Sequence, residues 1–199
     1  MRELVDGIFT WPWFSERHGY DFNGYLVRHP AGNVCIDPVQ PDEAPLEAIT
    51  RAGVASVVLT NRNHVRQANL IRSRTGARVA IHAADAAYAR DQGAIIDGTL
   101  DDERIGPFSV VPMPGKSPGE IALHWPERRI LVLGDAAVGN PPGSLSLLPE
   151  KVIDDLARLR QSLRYVASLN PDIVLVGDGH PILSSGGAAL RALVASFPT

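Results

Sequence analysis

Short apolar runs broken by Gly, Pro and Asn recur along the chain and read as strands. "VASVVLT" (54–60) and "ARVAIH" (77–82) enclose a more regular polar-apolar segment, 67–75, that ends at Gly76. Glycine just past a periodic segment is a helix C-terminal signal, so this stretch predicts a strand-helix-strand unit. "NGYLVRHPAGNVCID" (23–37) predicts a hairpin, its arms flanking the turn residues Pro30, Ala31 and Gly32. "FSVVPMP" (108–114), "IALHW" (121–125), "RRILVLGD" (128–135) and "DIVLVGDGH" (172–180) add further strands. Leu156, Leu159, Leu163 and Val166 recur at helical spacing and predict an amphipathic helix over 150–168. "GGAALRALVASF" (186–197) predicts a closing helix. The pattern is mixed α and β.

No repeat and no linker divides the chain, so residues 1–199 are expected to form one domain. A net charge of −3 argues against electrostatic capture of nucleic acid or anionic membrane. No apolar run is long enough to span a bilayer, and the N-terminus lacks a signal-peptide pattern. The single cysteine, Cys35, lies in a strand-like run and reads as a core residue; it fits a reducing, cytoplasmic setting. The aromatic residues between positions 9 and 25 suit a cleft lining, a core cover or the interface of a homodimer.

Polar clusters follow the strands: "LTNRNHVR" (59–66), "MPGKSPGE" (113–120), "LVLGDAAVG" (131–139) and "VLVGDGHP" (174–181). Polar groups at strand ends are the default active-site hypothesis in an open α/β sheet. Their order and spacing resemble the metallo-β-lactamase superfamily over nearly the whole chain. That family's H-x-H-x-D-H loop matches "NRNHVR", its PGH-[ST]-PG loop matches "PGKSPG", and its Gly-Asp strand end and late Gly-His loop match Asp135 and His180. The resemblance implies an α+β fold, a four-layer αββα sandwich with mixed sheets.

The family binds two metal ions through seven positions. Here they hold Asn61, Asn63, Val65, Arg66, Lys116, Asp135 and His180. Only Asp135 and His180 keep the family's residue type. Asparagine binds zinc weakly, valine has no donor, and arginine stays protonated. No metal is therefore expected, the alternative being a single zinc or iron at Asp135 and His180. Lys116 and Arg66 are expected to replace the metal charge, with Asp135 as their shared counter-ion. His64 is expected to be a hydrogen-bonded spacer turned away from the site; a slip of the loop would instead group it with Asp135 and His180. Asp178 reads either as an inward carboxylate or as part of an Asp-Gly turn.

Three functions fit these residues. A divergent hydrolase would use Asp135 or His180 as base and Lys116 and Arg66 as oxyanion partners, on an ester, thioester or phosphoester. A binder of a small anion would use the same cations with Asn61, Asn63, His64 and Asp178. A structural or dimeric role would rest on the aromatic segment.

Overall fold

In the computed structural model, which describes residues 1–101 and 104–198, alternate residues of each strand face two different layers. Strands β1 (Arg2–Val5), β2 (Ile8–Ser15), β3 (Tyr20–Val27), β4 (Val34–Ile36), β5 (Ser56–Leu59), β6 (Arg78–His82) and β7 (Gly98–Leu100) form one sheet in chain order. Its first strands pair antiparallel, and β4 to β7 pair parallel. The second sheet has the order β12-β11-β10-β9-β8, from β8 (Arg104–Ile105), β9 (Phe108–Pro112), β10 (Ile121–Trp125), β11 (Ile130–Leu133) and β12 (Ile173–Val176).

The period-two pattern sorts the core. Val58, Ile36, Tyr25, Leu123, Val132 and Leu175 meet between the sheets. Their strand neighbours Val57, Leu59, Cys35 and Leu26 face outward onto α1 (Glu43–Ala52), α2 (Ala68–Thr75) and α3 (Ala83–Asp91). On the far side, Leu131, Leu133, Val174 and Val176 face α4 (Leu156–Ser168) and α5 (Gly186–Ala195). The layers run helix, sheet, sheet, helix. This is the expected αββα sandwich.

The anticipated hairpin is the β3–β4 pair, and Gly76 closes α2 in a left-handed conformation. His82 caps α3 by accepting the Ala84 N–H. The expected helix over 150–168 is shorter. It begins at Leu156, where the Asp155 side chain accepts the Arg158 N–H, and only a 3-10 turn occupies 150–152. The aromatic segment is a β2–β3 hairpin: Trp11 is core, Trp13 and Phe14 are exposed, and Tyr20 and Phe22 reach a cavity. Cys35 is buried and unpaired. Among the described residues no helix is long and apolar enough to cross a membrane.

Candidate active site

The parallel strands point their C-terminal ends at one place. There β4 delivers Asp37, β5 delivers the loop 60–67, β11 delivers Asp135 and β12 delivers Asp178. The loop between β9 and β10 adds Lys116 and Glu120.

Local hydrogen bonds shape the loop after β5. Asn61 Oδ1 accepts the Asn63 N–H at 2.8 Å, and the His64 N–H donates to the Asn61 carbonyl at 3.2 Å. This Asx-type turn folds the chain back and drives the His64 ring inward. His64 is fully buried. Its Nδ1 lies 2.8 Å from Asp37 Oδ2 and 3.0 Å from Thr60 Oγ1, and its Nε2 lies 2.9 Å from Asp135 Oδ1. Thr60 donates its N–H and its hydroxyl to the two Asp37 oxygens, at 2.8 and 2.6 Å. Glycine at 177 leaves room for the ring: a Cβ there would fall 2.7 Å from His64 Cε1.

Lys116 is buried with its ammonium 2.8 Å from Asp135 Oδ2 and 2.8 Å from Asn63 Oδ1. Beneath it, Glu120 Oε1 accepts the N–H groups of Asp135 and Ala136 at 2.7 and 3.2 Å. Arg66 donates to Asp178 Oδ1 at 3.2 Å and lies 4.4 Å from the Phe22 ring centroid. Its Nη1 is buried without a hydrogen-bond partner among the described residues.

These placements correct the sequence reading in three respects. Arg66 pairs with Asp178, not with Asp135. His64, expected to face away, is at the centre. His180, expected in the site, is exposed and does not line the cavity; its backbone N–H is held by the Gly139 carbonyl at 2.7 Å. Asn63, Asp135, Asp178, Arg66 and Lys116 do line one cavity of about 270 Å³, together with Tyr20, Phe22 and His18. Asn61 is fully buried beside it and spends its oxygen on the turn. A larger surface hollow of about 500 Å³ against α1 is lined by exposed charges, Glu43, Glu47, Arg51 and Arg74, not by buried ones.

Asp37, Glu120 and His18 escaped the sequence reading, whereas Tyr20 and Phe22 belong to the aromatic segment for which a cleft lining was one expected role. The one available signal for Asp37 was its place at the end of an apolar run in "CID". His18 looked like an ordinary loop histidine; the β2–β3 turn carries it over the cavity, with Nδ1 fixed 2.7 Å from Ser15 Oγ.

The electrostatics follow from burial and pairing. Burial and the Arg66 charge would push His64 down, but Asp37 and Asp135 outweigh them and hold it up at about 10. Burial would raise Asp135, yet His64 and Lys116 hold it well below the usual carboxylate range. Asp178 is pushed up to about 6 by burial and by Asp135, with His64 and Arg66 acting against the rise. Burial and the Asp135 charge raise Glu120 well above its usual range, with His64 and Lys116 acting against the rise.

Known proteins place this geometry in a lineage. Residues 2–197 match the description "Metallo-beta-lactamase superfamily". A hydroxyacylglutathione hydrolase of Cereibacter sphaeroides is 28% identical over 199 residues, spanning 96% of this chain and 72% of that protein. A protein crystallised in a di-iron-bound form is 25% identical, with a TM-score of 0.68 over 90% of this chain and 96% of that one. A metallo-β-lactamase from Pontibacter korlensis shares the fold at a TM-score of 0.78 and 18% identity, covering 98% of each chain.

Proposed function

Because the chain belongs to the metallo-β-lactamase superfamily, whose fold and hydrolase-like character it shares, we propose that it hydrolyses an ester, thioester or phosphoester in the cavity beside Asp178. One observation carries the reading: Asp178, Lys116 and Arg66 face a single cavity of about 270 Å³, which Asp135 also lines. Asp178 acts as general base. Its acidity, shifted to about 6, leaves it ionised at neutral pH and still basic enough to take a proton from water. The water oxygen bonds to the carbonyl carbon or phosphorus, and the displaced electron pair gathers on an oxygen facing Lys116 and Arg66. The bond to the leaving group then breaks, and protonated Asp178 returns the proton to the leaving atom.

The family's metal chemistry is not part of this route, because the side chains here do not suit it. Asn63 Oδ1 is spent on Lys116, Lys116 occupies Asp135 Oδ2, and Arg66 is a cation at a ligand position.

The relative named hydroxyacylglutathione hydrolase supports the hydrolase class and makes an acyl-glutathione the first substrate to try. A panel of that compound with nitrophenyl esters and phosphoesters tests the proposal. One class turns over, and Asp178→Asn lowers its kcat by roughly 10²–10⁴-fold. Turnover that survives Asp178→Asn removes Asp178 from the mechanism. The unpartnered Arg66 Nη1 favours a second reading, a site that captures an anion without chemistry. No turnover across the panel, with a melting temperature raised by phosphate or carboxylates and lost in Arg66→Ala, selects that reading.

A further inference from the structure

We propose that the Asp135 carboxylate is neutralised on both oxygens by cations of its own chain, the His64 imidazolium on Oδ1 and the Lys116 ammonium on Oδ2, so that the cavity keeps its shape and charge without a metal ion. The inference stands apart from hydrolysis: it concerns what holds the site, whatever the site does.

Hydrogen-bond bookkeeping carries it. A neutral imidazole donates from one nitrogen and accepts at the other. Both His64 nitrogens face acceptors here. Nε2 hydrogen-bonds Asp135 Oδ1 at 2.9 Å; Nδ1 hydrogen-bonds Thr60 Oγ1 at 3.0 Å, and Asp37 Oδ2 lies 2.8 Å from it in ion-pair contact. Thr60 Oγ1, also near Nδ1, has already given its proton to Asp37 at 2.6 Å. A lone pair on either nitrogen would lie against a carboxylate oxygen in a fully buried place, so both nitrogens carry protons. Lys116 supplies the second cation, and Asn63 Oδ1 aims it at Asp135. Asp37 faces the imidazolium and Asp178 faces Arg66, so Asp37, Asp135 and Asp178 each lie within ion-pair distance of a cation of the chain.

Among the described residues one group of side chains is close enough to hold an ion: His64, Asp135 and Asp178, with ligand atoms within 4.8 Å of one another. A dication there would have to remove the proton that His64 shares with Asp135. It would also sit beside Lys116 and Arg66, both positive. The built-in cations exclude it.

The test is made on full-length protein purified without chelator. Elemental analysis is expected to find zinc, iron and manganese far below one ion per chain. The melting temperature is expected to be the same with EDTA and with added zinc. The imidazole nitrogens of His64, observed by NMR at pH 7.5, are both expected to be protonated. Lys116→His removes the ammonium and supplies a neutral ligand. Zinc at a hundred times its Kd is then expected to raise the melting temperature by roughly 5–10 °C in this variant and not in the parent. Lys116→Met, which removes charge without adding a ligand, gains no zinc response.

A stoichiometric metal in the parent, a melting temperature lowered by EDTA, or a neutral His64 ring overturns the proposal. So does a folded Lys116→His protein that ignores zinc. If that variant fails to fold, the three measurements on the parent decide.

Discussion

The floor and the rim of the cavity are built from the same residue types to different standards. In the floor, Asp135 has both oxygens in ion pairs at 2.8–2.9 Å, and its partners His64 and Lys116 are themselves buried and held by Asp37, Thr60 and Asn63. At the rim, Arg66 and Asp178 share one longer bond of 3.2 Å, and Arg66 keeps a buried N–H without a partner. Buried charges are tolerable only when paired and hydrogen-bonded. The Asp135 ion pairs meet that demand from within the chain, and the atoms of the floor without a partner among the described residues, Glu120 Oε2 and Asn61 Nδ2, lie beneath and beside them. The rim meets it in part, which leaves donor capacity for something that arrives.

Removing the centre of the floor gives the largest expected effect. Asp135→Ala strands the His64 and Lys116 cations in a buried place, and losing one partner of a buried pair costs about 3–5 kcal/mol. Urea unfolding checks this. A loss below about 1 kcal/mol, the scale of exposed pairs, means that the floor is no more structural than the rim.

The same division governs what could be read from sequence. The strands were legible as short continuous apolar runs, such as Val57-Val58-Leu59 and Ile130 to Leu133, and the sandwich through the resemblance carried by the polar clusters that follow them. β2 was not, since "IFTWPWFS" contains proline and has no clean alternation. Helix α1 was not read from the sequence. The α3 segment "AADAAYARD" is alanine-rich and has little apolar face to betray it. Within the site, Lys116 beside Asp135 was legible from motif order alone. The Asp37–His64–Asp135 chain was not, because it joins residues far apart in sequence and turns on a backbone bend made by one asparagine side chain. The resemblance fixed which positions converge. It did not say which atoms point inward.

Alkaline pH separates floor from rim by a smaller amount. Burial and Arg66 act to lower His64, but Asp37 and Asp135 outweigh them and hold it at about 10 against an ordinary 6.5. The folded state binds this proton more tightly than the unfolded state. The stability it contributes is therefore complete below about pH 6.5 and is lost as pH rises toward 10. The expected slope is about 1.4 kcal/mol per pH unit across the window. Burial also raises the Cys35 thiol, so Cys35 adds a loss of its own above about pH 9; urea midpoints between pH 6.5 and 9, in a Cys35→Ala background, follow His64 together with Glu120, whose raised acidity acts in the same direction. The rim differs. Asp178, raised to about 6, confers a stability that is lost as pH rises from about 4 to 6, and it is silent in the alkaline window. A flat profile from pH 6.5 to 9 removes the imidazolium from the floor.

The smallest expected effect is at His180, and it tests where the site ends. The family resemblance puts this residue in the centre, yet the chain turns it out to solvent. The cause is backbone. Gly179 adopts φ +83, its N–H donates to the Asp21 carbonyl, and the His180 N–H donates to the Gly139 carbonyl. A side chain at 179 would be strained at that φ, and a Cβ there would fall 2.6 Å from the Gly139 oxygen. The turn therefore stays as it is, with Asp178 facing the cavity and His180 facing water. His180→Ala removes an exposed ring, and substitutions of that kind change stability by less than about 0.5 kcal/mol. Turnover of whichever substrate the panel finds is expected to be unchanged. A hundredfold loss of kcat in a stably folded His180→Ala protein would mean that the turn reverses when substrate binds, and that the rim extends one residue further than the resting structure draws it.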